Sequence, residues 1–236
     1  PALSLWLSVD PLSDKYPGVS PYVYCANNPV KYVDPSGETI EIIGEEQQAA
    51  FKEFKKGARQ YGIKAKMNRY GIISGKYVGK GEISKEGEQI MNAITDVSVR
   101  VIINSTSANE TEGGYSFFGG AFLGNKLKPI KVGKDDIVGY KSITKQDVNP
   151  YDLRAMSEYY GKPGQDMLHE VTEAYQGAKI AQQLGRSICN SQEDKDVYDW
   201  VHGMAIPQSG EIFGPYPVTN GLSTEYGGTL MGIRWN

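Results

Sequence analysis

The chain has only two cysteines and two histidines in 236 residues. Cys25 and Cys189 fall in segments that read as different modules, so nothing in their placement supports a disulfide. Two cysteines are also too few for a ribbon or knuckle built on cysteine-bound zinc. No apolar run reaches the roughly 18 residues that a membrane-spanning helix requires. No charged-then-apolar leader stands at the start. Basic excess is missing as well: 25 Lys and Arg against 28 Asp and Glu give a formal net charge of −3. That balance supplies no electrostatic pull toward nucleic acid, and no nucleic-acid partner is expected. The chain opens at Pro1, without Met and in mid-motif, so it reads as a fragment of something longer.

Glycine and tyrosine are plentiful, with 28 and 16 residues, which favours turns and strands over a helical bundle. Residues 1–37 are dense in turn formers, including Asp10-Pro11, Tyr16-Pro17-Gly18, Asn27-Asn28-Pro29 and Asp34-Pro35-Ser36-Gly37. Short runs such as Tyr22-Val23-Tyr24 and Lys31-Tyr32-Val33 lie between them. The pattern predicts a β-meander arm, too small to bury a core alone.

The run from Trp6 to Gly37, WLSVDPLSDKYPGVSPYVYCANNPVKYVDPSG, resembles the end of a rearrangement-hotspot (Rhs) repeat-associated core. That family's order of motifs is present: aromatic-x-S-x-D-P-L, then S-P-Y-x-Y-C-x-N-N-P, then a D-P-x-G terminator. The resemblance implies that residues 1–37 close an Rhs core and that residues 38–236 are its variable C-terminal payload, often a toxin. It further implies a bacterial protein that is secreted or delivered at the cell surface. The rest of the β-repeat shell and a cognate immunity protein are the partners it implies. Some Rhs cores cleave themselves after the terminator through aspartates, to which Asp10 and Asp34 could correspond. Glu38 stands where self-cleaving members usually carry leucine, which argues against self-cleavage here.

In the payload, Thr39–Ile43 alternates like a strand and Glu45–Tyr61 carries Ala49, Phe51, Phe54 and Ala58 at helical spacing, closed by Gly62. Strand material is expected over 63–73 and 76–78, broken by Gly71 and Gly75, and a helix over 84–94. Val97–Ile103 is almost continuously apolar and β-branched, which predicts a buried central strand. The glycine-broken apolar run 115–124 suits an edge strand or groove wall, and the lysine-rich stretch beyond it to Pro150 is expected to be poor in strand. Helices follow to about Ala205. The sum is an α+β domain with a small mixed sheet and flanking helices.

The chemistry sits in DMLHEVTEAYQGAKIAQQLG. Asp166 is the expected N-cap and Gly185 the C-cap, with Leu168, Val171, Tyr175 and Ala178 as the apolar stripe. His169 and Glu173 stand four apart and so share one helix face, where a nitrogen and an oxygen can hold one metal ion. Glu170, one residue on, is placed to take a proton from water. The helix resembles the H-E-x-x-H helix of zincin metallopeptidases, with Glu173 where that family has its second histidine. Zinc accepts a carboxylate there.

The only other histidine, His202, lies on a second predicted helix capped by Ser191. A connection of about six residues favours an antiparallel pair. At ~1.5 Å per residue His169 is roughly 22 Å before the turn and His202 roughly 16 Å after it, so both reach the same end. The expected ligands of a Zn²⁺ ion are therefore His169, Glu173 and His202, with Glu170 as general base in hydrolysis of a peptide or protein. Asp199 is a candidate to orient a ligand, and Tyr175 and Tyr198 are candidate oxyanion donors. Gly119 and Gly120 could pair with an extended peptide. Two other readings stand beside this one: a toxin with nuclease or transferase chemistry, and a non-catalytic binding or adhesion module, including a zincin-like domain that has lost its metal.

Overall fold

The computed structural model describes residues 39–132, 136–189 and 194–210, with the short paired strands β7 (Tyr216–Pro217) and β8 (Thr224–Glu225). The Rhs-like segment from Trp6 to Gly37, Asp10 and Asp34, and the cap assigned to Ser191 all lie outside the described residues.

The first strand, β1 (Ile40–Ile43), buries Ile40 and Ile42 completely. Helix α1 (Gln47–Gln60) follows and sets Ala50, Phe54 and Ala58 in the core. The antiparallel pair β2 (Ile63–Met67) and β3 (Ile73–Tyr77) comes next. Gly71 takes the turn between them with φ +85°. Gly75 does not break β3 but lies inside it opposite Ala65, where a Cβ would press on Ile94. Helix α2 (Lys85–Thr95) starts at Ser84, whose Oγ accepts the Gly87 N–H at 3.1 Å.

The main sheet has the order β1, β4 (Val99–Ser105), β6 (Asp136–Val148), β5 (Gly120–Val132). The first three are parallel and β5 is an antiparallel edge. The sheet is mixed and small, with helices flanking it, which is an α+β arrangement. β4 is an inner strand, but it alternates: Val99, Val101, Ile103 and Ser105 are buried, and the residues between them only half-buried. Only one of its faces meets the core.

The lysine-rich stretch expected to be poor in strand is instead the longest hairpin of the fold, 13 residues on each side. Its outward positions carry Lys126, Lys128, Lys141 and Lys145. Its inward positions on β6 carry Ser142, Thr144 and Gln146. With Leu123, Ile130, Ile137 and Val138 exposed and polar residues on the core face of β6, the apolar contrast that announces a period of two is missing.

Helix α3 (Pro150–Tyr159) leads into α4 (Gln165–Leu184), which lies against β4, β5 and β6. Gly164, at φ +79°, is the N-cap of α4 rather than Asp166. Asp166 sits fully buried in the first turn and accepts the hydroxyls of Ser157 (2.6 Å) and Ser209 (2.5 Å). Helix α5 (Lys195–Met204) rests on α4 through a small apolar cluster of Phe122, Ile180, Ala181, Ile188 and Val201. No helix among the described residues is long and apolar enough to cross a membrane.

Candidate metal centre

Every residue from Gln165 to Tyr175 of α4 is buried, including Asp166, His169, Glu170, Thr172 and Glu173. Polar groups removed from water need partners, and these partners build the site.

His169 is 2% exposed, and its Nδ1 lies 2.7 Å from the Ile206 carbonyl oxygen. A carbonyl only accepts, so Nδ1 carries the hydrogen and Nε2 is left with a lone pair. Backbone fixing of one ring nitrogen is the usual support of a metal-ligating histidine. The segment that supplies this carbonyl is itself tied to α4. The Ile206 N–H donates to Thr172 Oγ1 at 3.0 Å, and the Ser209 N–H donates to Asp166 at 2.8 Å.

That lone pair faces His202. His169 Nε2 and His202 Nδ1 are 3.3 Å apart, with ring centroids 4.6 Å apart and planes at 72°. His202 Nδ1 also meets Glu173 Oε1 at 2.8 Å, and Tyr198 hydrogen-bonds to the same carboxylate. Ligand atoms of His169, Glu173 and His202 all lie within 4.8 Å of one another. Tetrahedral zinc with bonds of ~2.0–2.1 Å sets its donors about 3.3 Å apart, so the two nitrogens fit without rearrangement. The shorter His202–Glu173 contact is a hydrogen bond that a metal would replace, releasing the proton on Nδ1.

Burial pulls His169 below the ordinary histidine range, against the charge of Glu173. For His202, burial also opposes the charged form, but the hydrogen bond and charge of Glu173, with Asp199, outweigh it and raise the pKa. Burial would raise Glu173, yet its bond to His202, the two imidazoles and Tyr198 bring it below the usual value. Glu170 goes the other way. Burial, then the charge of Glu173, push it well above the carboxylate range, with Gln146 only partly opposing. Two carboxylates three residues apart are thereby set to different tasks, one anionic and one able to hold a proton.

Glu170 is enclosed by groups that the sequence reading did not single out for this purpose. Gln146 on β6 donates from Nε2 to Glu170 Oε2 and, at 3.1 Å, to Glu173 Oε2. Gly120 on the neighbouring strand meets the same oxygen, and a Cβ there would overlap the Glu170 carboxylate. Gly120 therefore makes room for an acid, and the glycine itself was the available signal. Gln146 had none, because nothing in SITKQDV marks one residue of a strand as facing a helix carboxylate.

Other expected residues go elsewhere. Tyr175 donates to Asp96 at 3.0 Å on the far side of α4, and this commits its hydroxyl away from the site. Asp199 is exposed and pairs with Lys195 at 2.5 Å; it affects His202 by charge alone and does not orient it. Tyr198 does reach the site, on the ligand carboxylate. Gly119, at φ +79°, turns the chain into β5, with its N–H on Asp152 at 3.4 Å. Comparison with protein-family models, curated proteins and solved structures finds no match.

Proposed function

We propose that the domain is a zinc-dependent hydrolase of zincin type that acts on peptide bonds, carried as the C-terminal payload of an Rhs-type protein delivered from a bacterial cell. One observation carries the catalytic reading. The only two histidines of the chain converge on Glu173, and the His169 ring nitrogen turned toward His202 is the one not engaged by the Ile206 carbonyl.

His169, Glu173 and His202 would hold the ion. Zinc supplies Lewis-acid activation of water and of the scissile carbonyl. Glu170, buried beside these ligands with a raised pKa, accepts the proton of the attacking water and passes it to the leaving amine. Tyr198 keeps Glu173 oriented. The edge strand β5 begins at Gly120, against Glu170; farther along, its Asn125 and Leu127 N–H groups are taken by Ile188 and Ser187, so an extended peptide would pair with its first residues, beside the acid. The payload assignment rests on the motif order between Trp6 and Gly37.

The 2.8 Å bond between His202 and Glu173 favours a second reading, in which the cluster is a closed hydrogen-bonded network in a non-catalytic module. Metal analysis separates the two. The hydrolase carries about one zinc per chain and cleaves fluorescein-labelled casein. His169→Ala and His202→Ala lose both properties, and Glu170→Gln keeps zinc while cleavage falls to a small residual rate. Zinc without cleavage by the wild type supports the second reading with a structural ion, and absence of zinc ends the metal assignment.

A further inference from the structure

Gln146 stands near the C-terminal end of β6, fully buried, opposite Ile103 of β4 and Phe122 of β5. Its side chain points at α4. Nε2 carries two hydrogens, and two carboxylates take them: Glu170 Oε2 and Glu173 Oε2. Glu173 has other support, from His202 at 2.8 Å and from Tyr198. Glu170 has none. Among the described residues the Gln146 amide is its only hydrogen-bond partner.

We propose that Gln146 is the positioning residue of the site: its amide sets the Glu170 carboxylate beside the ligand cluster and spaces it from Glu173. The inference deepens the hydrolase reading and rests on it for its catalytic consequence.

The residue type fits the task. Two acids of one helix, one turn apart and out of water, repel each other when both are charged. A lysine or arginine between them would bring a positive charge that competes with a metal ion for the same oxygens. A hydroxyl offers a single hydrogen. A primary amide offers two donors, no charge and a fixed angle between them. The Gln146 Oε1 atom is buried without a partner, so the carboxylates alone orient the amide. The Gly120 backbone and the Gln146 amide thus both meet the Glu170 carboxylate, at Oε2.

The test uses Gln146→Met, close in length and without hydrogen bonds. In a crystal structure of the zinc-free variant the Glu170 carboxylate moves by more than about 1 Å from its wild-type place, a displacement large enough to matter for catalysis. In solution the zinc content stays at the wild-type level, because all three ligand side chains remain and Glu173 keeps its bond to Tyr198. The kcat for labelled casein falls roughly 10–100-fold with KM unchanged, the usual size of an outer-shell effect. Added to Glu170→Gln, the substitution costs nothing further, since it acts through the acid already removed. Should Q146M not fold, Gln146→Asn keeps the amide, withdraws it by one carbon and must give the same displacement.

A Glu170 carboxylate that stays in place in the variant overturns the proposal, and so does a full additional loss in the Glu170→Gln background. Wild-type zinc content and casein cleavage report separately on the underlying hydrolase reading. The crystallographic arm needs neither metal nor substrate, so it decides the role of Gln146 whichever way they fall.

Discussion

His169 Nε2 lies 3.3 Å from His202 Nδ1, across 33 residues of chain. The pair exists because α4 and α5 are clamped twice, once by the apolar cluster around Phe122 and Val201 and once by Ile206, whose N–H and C=O both bond to α4. The donor atoms are gathered before any ion arrives. Zinc should therefore stabilise the fold rather than reorganise it. With free zinc at about 100 times Kd, mass action adds about 2.7 kcal/mol. For a domain of this size that is a rise in Tm of roughly 5–10 °C. Calorimetry of chelator-treated protein, with and without added zinc, should show the rise for the wild type and none for His202→Ala. An equal rise in both would place the ion elsewhere.

The metal-free pair of His202 and Glu173 has a defined pH signature. The folded pKa of His202 is raised: burial opposes the charge, but the bond to Glu173 and the charges of Glu173 and Asp199 win. The folded state then keeps a proton that the unfolded chain gives up. The contribution is complete below the ordinary histidine value of ~6.5 and is lost as pH climbs through the raised folded value. In urea denaturation of zinc-free protein, His202→Gln should therefore cost more stability at about pH 6 than at about pH 9. Zinc affinity should move in the opposite direction and tighten over the same range, because Nδ1 must lose its proton to bind. A penalty for His202→Gln that grows toward alkaline pH would contradict the pairing.

Gly120→Ala tests the room made for the acid. A Cβ there overlaps the Glu170 carboxylate, which sits at the end of a side chain and must swing aside. His169, Glu173 and His202 have their own supports, and none of the atoms nearest that Cβ belongs to them. Zinc content should stay near that of the wild type, while casein cleavage falls about 100-fold, as expected for an acid misplaced by about 1 Å. Loss of zinc in this variant would show that the strand supports the ligands directly.

Much of the site was legible because its signal is local. His169 and Glu173 at a spacing of four announce a shared helix face, and a short connection to a second helix places His202 at the same end. The parts that were not legible are those created by tertiary contact. Tyr175 stands only two residues from Glu173, but on a helix that spacing turns it to the opposite face, where Asp96 holds it. Asp166 looks like a cap, yet it is buried as the acceptor of two serines from distant segments, and the chain-breaking Gly164 takes the cap instead. The β5–β6 hairpin was hidden because the core face of β6 is Ser142, Thr144 and Gln146 rather than valine or isoleucine. The residue that bridges the two acids was hidden with it.

Those three side chains make the last prediction. Ser142, Thr144 and Gln146 follow one another at every second position on the side of β6 that faces α4, and all are at most 1% exposed. Ser142 Oγ, Thr144 Oγ1 and Gln146 Oε1 have no hydrogen-bond partner. A buried hydroxyl without a partner costs about 1–3 kcal/mol of desolvation. Valine has the shape of threonine without that hydroxyl, and Thr144 sits between Val101 and Asn125 with no bond to lose. Thr144→Val should therefore raise stability by about 1 kcal/mol. The same exchange at Thr172 should do the reverse. There the Oγ1 accepts the buried Ile206 N–H at 3.0 Å, so Thr172→Val strands that donor and should cost about 1–3 kcal/mol. It also loosens the carbonyl that fixes the ring of His169, so zinc binding should weaken as well. Urea denaturation of the two variants side by side checks the contrast. A destabilising Thr144→Val would mean that a buried water, not a void, meets the hydroxyls of β6 and continues the hydrogen-bonded system from Gln146 into the body of the sheet.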